Sequence, residues 1–225
     1  MAVALVVAAG SGERLEAGRP KAFVALAGRP LLDWSLDALR AAEVQDVVVA
    51  VPRGPHTAPW AAPPGVLVVP GGATRSASVR AALAAAPWSE EVVVHDAARP
   101  LVTPEHFIAT LGALALADCA VAAAPVTDTI KEADVHGVVT ATLDRSRLWA
   151  IQTPQAFRRG ALERALDVDD AVLAAATDDA WLVERAGGSV RVVESTPANI
   201  KVTTRHDLRV AETLLADRLP RPPAA

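Results

Sequence analysis

The chain has 225 residues, with a formal net charge of −4, 52% hydrophobic and 21% charged residues. That balance excludes a disordered chain, and the acidic sum excludes a broad basic face for duplex nucleic acid, so no nucleic-acid partner is expected. One cysteine, Cys119, excludes an intrachain disulfide and fits a cytoplasmic home; no apolar run reaches the about 18 residues of a membrane span, and the N-terminus lacks the basic segment of a cleavable leader.

In chain order, VALVVAA (3–9) predicts a buried strand that stops in the small-residue loop Gly10-Ser11-Gly12. A helix is expected over 30–42, where Leu32, Leu36 and Leu39 recur at helical spacing behind Pro30. DVVVAV (46–51) and VLVV (66–69) predict strands, 76–86 a helix, and 91–95 a fourth strand. A helix over 103–117 has Thr103 as its N-cap and Pro104 in first position, and CAVAAAPV (119–126) is a further strand. Residues 127–152 break the rhythm: β-branched and polar residues alternate around His136-Gly137, which predicts a projecting β-hairpin arm. Helices follow near 158–167 and 178–187, then a strand at 189–194 and a last helix after Thr204.

Continuous apolar strands alternating with helices predict an α/β fold: a Rossmann-like, mostly parallel sheet covered on both faces, with ligands at the carboxyl ends of its strands. No linker is evident, so one domain is expected over 1–225, including the arm at about 127–152. An exposed hairpin is marginal alone, which points to packing against a second copy of the chain.

The first glycine loop lies at such a carboxyl end. It lacks the Gly-Lys-Ser/Thr of a Walker A loop, and Leu15 replaces the third glycine of a dinucleotide fingerprint. The remaining pattern is Ala8-Ala9-Gly10-Ser11-Gly12-Glu13-Arg14, followed by Pro20-Lys21. Small residues there let the backbone wrap a nucleoside triphosphate, with Arg14 and Lys21 as cations for its phosphates. The same residues also suit an ordinary strand–helix turn with two surface cations. GGATRSASVRAAL (71–83) offers Gly71, Gly72 and Ser78 to a base edge or a sugar, or is a flexible loop with a serine cap. HDAARP (95–100) sets Asp96 at the sheet's carboxyl edge, where it suits a divalent cation, a ribose, or a plain turn. Lys201 sits in a polar loop before the last helix.

Taken in order, AAGSGERL, GGATRSASV, HDAARP, DTIK, LDR…LW…QTPQAF, TDDA and NIKVT resemble the 2-C-methyl-D-erythritol 4-phosphate cytidylyltransferase family over nearly the whole chain. The resemblance implies CTP and 2-C-methyl-D-erythritol 4-phosphate as substrates, Mg2+ or another divalent cation, pyrophosphate as product, and a homodimer through the arm. It assigns Gly10, Gly12, Arg14 and Lys21 to the triphosphate, and the Ala8–Ala9 backbone, Gly72, Ser78 and Asp96 to the nucleoside end. Arg14, Lys21 and Lys201 become the catalytic cations, and Asp96 the one residue beside the metal. Asp96, Arg99, Thr153 and Thr177 would line the acceptor region, with Thr129 and Arg145 reaching the partner subunit's site. An acidic residue often precedes NIKVT in the family; here it is Ala198. Two rival readings are a cytidylyltransferase for ribitol 5-phosphate or another polyol phosphate, and a non-catalytic nucleotide-binding regulator.

Overall fold

A computed structural model describes residues 2–10, 12, 15, 18–54 and 60–218 of the chain. Its centre is a seven-stranded sheet. The strands are β1 (Ala2–Val7), β4 (Asp46–Val51), β5 (Val66–Pro70), β6 (Glu91–Asp96), β7 (Cys119–Pro125), β10 (Trp149–Arg158) and β11 (Val190–Glu194). Their spatial order is β11-β7-β10-β6-β1-β4-β5. All run parallel except β10, which pairs antiparallel with both β6 and β7. Two short strands, β2 (Ala25–Leu26) and β3 (Arg29–Pro30), form a separate small ribbon.

The strands β1, β4, β6 and β7 read as near-continuous apolar runs because both faces are covered. On one face Ala4 and Val6 of β1 pack with Leu32, Leu36 and Leu39 of α1 (Leu31–Ala41) and Phe107 of α3 (Pro104–Ala113). On the other, Val3 and Leu5 meet Val79 and Leu83 of α2 (Arg75–Ala85), Leu162 of α4 (Arg159–Leu166) and Leu182 of α6 (Asp179–Arg185). A third cluster of Leu15, Leu26, Leu101, Val202 and Leu215 ties α7 (Arg205–Arg218) to the segment before α1. Between α4 and α6 lies the six-residue α5 (Asp170–Ala175), which the sequence reading did not separate.

The helix starts follow local chemistry. Thr74 Oγ1 accepts from Ala77 N at 3.1 Å to cap α2, and Asp178 Oδ1 accepts from Trp181 N at 2.8 Å to cap α6. Thr103 forms a capping box with His106, behind the expected Pro104. At α7, Thr204 and Asp207 exchange side-chain and backbone hydrogen bonds at 3.1 and 2.8 Å.

The arm is a two-stranded ribbon of β8 (Lys131–Ala133) and β9 (Val139–Thr142), separate from the main sheet. The hairpin expected over 127–152 overlaps β10, because Trp149, Ala150 and Ile151 pair with Pro125, Ala124 and Ala123 of β7. Pro154 hid this strand in the sequence, since proline is normally barred from central strands. The register shifts between Ile151 and Gln155, and that irregularity accommodates it.

Candidate active site

Two glycine loops, one after β1 and one after β5, meet at the carboxyl end of β4. Ala8 N donates to Ala50 O at 2.8 Å, which fixes the turn after β1, and Gly71 N donates to Val51 O at 2.7 Å, which fixes the turn after β5. A Cβ on Gly71 would lie 2.5 Å from Ala9 Cβ, and one on Gly72 would lie 2.7 Å from the backbone carbon of Ala77. Only glycine lets these turns approach so closely. Ser78, buried in α2, ties its own loop together: its Oγ accepts from Gly72 N at 3.1 Å and donates to Thr74 O at 2.9 Å. Gly12 has φ +74°, and a side chain there would press on Lys21, whose Cβ is 2.8 Å from the Cβ position.

Asp96 ends β6 and is only 5% exposed. Its two oxygens have different cations: Arg75 Nε donates to Oδ1 at 2.9 Å, and Lys201 Nζ lies 2.6 Å from Oδ2. Burial alone would raise its pKa, but Arg75 and Lys201 outweigh burial and hold the carboxyl far below the usual carboxylate range. The backbone N of Asp96 donates to Thr153 Oγ1 at 3.0 Å, which itself lies 3.1 Å from His95 Nδ1. His95 is fully buried against Phe107 and Ser35, and burial pulls its pKa down to about 3, so it is neutral at physiological pH.

Lys201 reaches Asp96 because its loop is stitched to the one after β6. Val202 N donates to Ala98 O at 2.8 Å, and Arg99 Nη1 donates to Asn199 O at 2.7 Å. Asn199, itself buried, donates to Gln152 Oε1 and Thr153 O at 2.9 and 3.0 Å.

Two cavities flank this centre. One, of about 440 Å³, is lined by Ala9, Gly10, Lys21, Gly72 and Ser78 among others. The second, of about 480 Å³, is lined by Arg99, Gln152, Thr153, Thr177, Asp178 and Trp181 among others. Arg75, Asp96 and Lys201 belong to the walls of both.

Ten of the fifteen site residues expected from sequence line these two cavities: Ala9, Gly10, Lys21, Gly72, Ser78, Asp96 and Lys201 the first, and Arg99, Thr153 and Thr177 the second. Ala8 and Gly12 shape the first cavity without lining it. Thr129 and Arg145 line neither; they lie on the exposed arm, where Arg145 Nη1 donates to Thr127 O at 2.7 Å. Arg14 lies outside the described residues. Sequence reasoning missed Arg75, Asp178, Asp179, Gln152, Gln155 and Asn199. Several of these sit inside motifs already noted, GGATRSASV and TDDA, but nothing in their spacing marks a guanidinium bridging two carboxylates. Among the described residues no group of three His, Cys, Asp or Glu forms a metal cage. Asp96 is the one carboxylate of the shared wall that could join substrate phosphates around a magnesium ion, in exchange for its present contact to Arg75 or Lys201.

A mostly parallel α/β sheet with two glycine loops, cations and the buried Asp96 carboxylate at its carboxyl edge defines a nucleotidyltransferase. The model of the 2-C-methyl-D-erythritol 4-phosphate cytidylyltransferase family matches residues 2–217, and the chain belongs to that family. It is 48% identical to the 2-C-methyl-D-erythritol 4-phosphate cytidylyltransferase of Nocardia farcinica (strain IFM 10152), covering 96% of this chain and 94% of that one. The enzyme of that name from Synechococcus sp. (strain WH7803) is 44% identical, with 95% of this chain and 99% of that one covered. Among solved structures, the 2-C-methyl-D-erythritol 4-phosphate cytidylyltransferase of Thermus thermophilus superposes with a TM-score of 0.79 at 35% identity, covering 96% of this chain and all of that one.

Proposed function

We propose that the first cavity receives CTP, that the second receives 2-C-methyl-D-erythritol 4-phosphate, and that the cytidylyl group crosses between them at Asp96 and Lys201. The observation that carries this reading is the shared wall: Arg75, Asp96 and Lys201 line both cavities, so a group held in one has its reacting end at the mouth of the other. The family's activity, CTP-dependent cytidylyl transfer in isoprenoid biosynthesis, needs two substrates to meet end to end in this way.

A phosphate oxygen of the acceptor attacks the α-phosphorus of CTP in line. A new P–O bond forms as the bond to the bridging oxygen of pyrophosphate breaks, and pyrophosphate leaves with the electron pair. The acceptor phosphate is already ionised near neutral pH, so no base is required, which agrees with the neutral, buried His95. Catalysis then rests on positioning and charge stabilisation. Lys21 and Arg14 attend the β- and γ-phosphates, and Lys201 the α-phosphate. Gly10, Gly12 and the Ala8–Ala9 backbone wrap the nucleotide, while Gly72 and Ser78 read the base. Arg99, Thr153 and Thr177 hold the acceptor. A bound divalent cation beside Asp96 would neutralise charge on the phosphates.

Thr129 and Arg145 are assigned to the acceptor phosphate of a partner subunit in a homodimer. Supporting this, both lie on an arm that exposes Val135, Val138 and Val139 and whose strands β8 and β9 line neither cavity. Among the described residues no helix is long and apolar enough to cross a membrane, and a cytoplasmic enzyme is proposed.

The test is pyrophosphate release with CTP and magnesium, with 2-C-methyl-D-erythritol 4-phosphate and ribitol 5-phosphate offered in parallel. Release with the first alone is expected. Release with ribitol 5-phosphate alone would overturn the acceptor assignment, and CTP binding without release from either would leave a non-catalytic binder.

A further inference from the structure

Arg75 is the first residue of α2, directly after the loop that carries Gly72. Its Nε donates to Asp96 Oδ1 at 2.9 Å and its Nη1 donates to Asp179 Oδ2. One planar group thus joins three elements: the start of α2, the end of β6 and the first turn of α6. Asp179 is fully buried, and its second oxygen has no hydrogen-bond partner. Helix α6 does not need it as a cap, since Asp178 already fills that role.

A buried carboxylate with one oxygen unpaired is costly, and such an ion pair is often no more stabilising than apolar side chains of the same volume. Stability therefore gives a poor account of Asp179. Direction gives a better one. A guanidinium that meets a lone carboxylate favours a two-pronged pairing with both of its oxygens. With Asp179 drawing off Nη1, Arg75 meets Asp96 through Nε on Oδ1, and Oδ2 is left for Lys201 at 2.6 Å.

We propose that Asp179 is a positioning residue for cytidylyl transfer, acting through Arg75 to hold Asp96 in the orientation that seats Lys201 between the two cavities. This rests on the two-substrate reading of the cleft. Without the Asp179 charge, Arg75 turns onto both oxygens of Asp96 and displaces Lys201 from the shared wall. The transfer step suffers, while Ala9, Gly10, Gly72 and Ser78 keep the nucleotide cavity intact.

The test compares Asp179→Asn, which keeps the volume, with Arg75→Lys, which keeps the charge but cannot bridge two carboxylates. Steady-state constants for both substrates and thermal midpoints are measured for each variant and for the pair combined. Asp179→Asn should lower kcat by ~10- to 100-fold, the scale of a slightly misplaced reacting group, with KM for CTP within about twofold. Arg75→Lys should lose as much, and the double variant should be no worse than Arg75→Lys alone, because both changes break one linkage. Losses that multiply in the double variant overturn the inference, as does a lowered midpoint with kcat per folded enzyme unchanged. An active wild type with an unaffected Asp179→Asn variant overturns this inference alone. A wild-type chain that binds CTP and releases no pyrophosphate with either acceptor overturns the cleft reading and this inference with it.

Discussion

Replacing Lys201 by alanine removes one of the two cations on Asp96 and the one assigned to the α-phosphate. Arg75 remains at 2.9 Å on the other oxygen, so Asp96 stays ionised and the fold is little disturbed. The Lys201 side chain is 38% exposed, so solvent screens its ion pair and its share of stability is at most about 1 kcal/mol. For a chain of this size that is a fall of roughly 2–4 °C in Tm. The catalytic loss is far larger: removing one preorganised transition-state donor costs about 2.7–4 kcal/mol, or roughly 100- to 1000-fold in kcat. The assay is continuous pyrophosphate release at saturating CTP and acceptor, alongside a thermal melt of the same sample. A Lys201→Ala enzyme with kcat within threefold of wild type, or one whose lost activity tracks an unfolded fraction, would refute the reasoning.

Gly72→Ala puts a Cβ 2.7 Å from the Ala77 backbone, where nothing flexible can yield, so the loop must move; KM for CTP should rise by about tenfold or more with Tm lowered modestly, and an unchanged KM would remove Gly72 from the nucleotide site. Arg145→Ala should raise KM for the acceptor and spare CTP. If the arm acts across a dimer, mixing Arg145→Ala with Lys21→Ala subunits should restore part of the activity, and verified mixed dimers without recovery would count against a shared site. His95 titrates near 3 when folded, against an ordinary 6.5, so between those values the unfolded chain carries the extra proton. Its contribution is therefore complete above about pH 6.5 and lost as the pH falls toward 3, at up to about 1.4 kcal/mol per pH unit. Urea unfolding of His95→Gln from pH 7 to 4 should show a shallower acid limb than wild type, and an equal slope would contradict this burial argument.

The strands β1, β4, β6 and β7 were legible because each is a near-continuous apolar run, as burial on both faces requires; the partly exposed edge strands β5 and β11 were legible from their valine-rich, β-branched sequences. Helices α1, α2, α3, α4, α6 and α7 were legible from helical spacing, and several of their starts from local capping residues. The glycine loops were legible as small-residue breaks after apolar strands, a pattern that an ordinary strand–helix turn shares. The strand β10 was not, since Pro154 argues against a central strand and only the shift between Ile151 and Gln155 reconciles the two.

Residue order alone was enough for most of what is local: the alternation of strand and helix, the small-residue loops at strand ends, and the residue types available at each. Which of those residues meet was settled by packing. Arg75, Asp96, Asp179 and Lys201 come from α2, β6, α6 and the loop before α7, up to 126 positions apart (201 minus 75), and no spacing rule links them. They converge because the parallel sheet brings the carboxyl ends of its strands to one edge, and because low exposure there makes each charge seek a partner. The pairing of carboxylates with cations, and the wall of Arg75, Asp96 and Lys201 that two cavities share, belong to that packing.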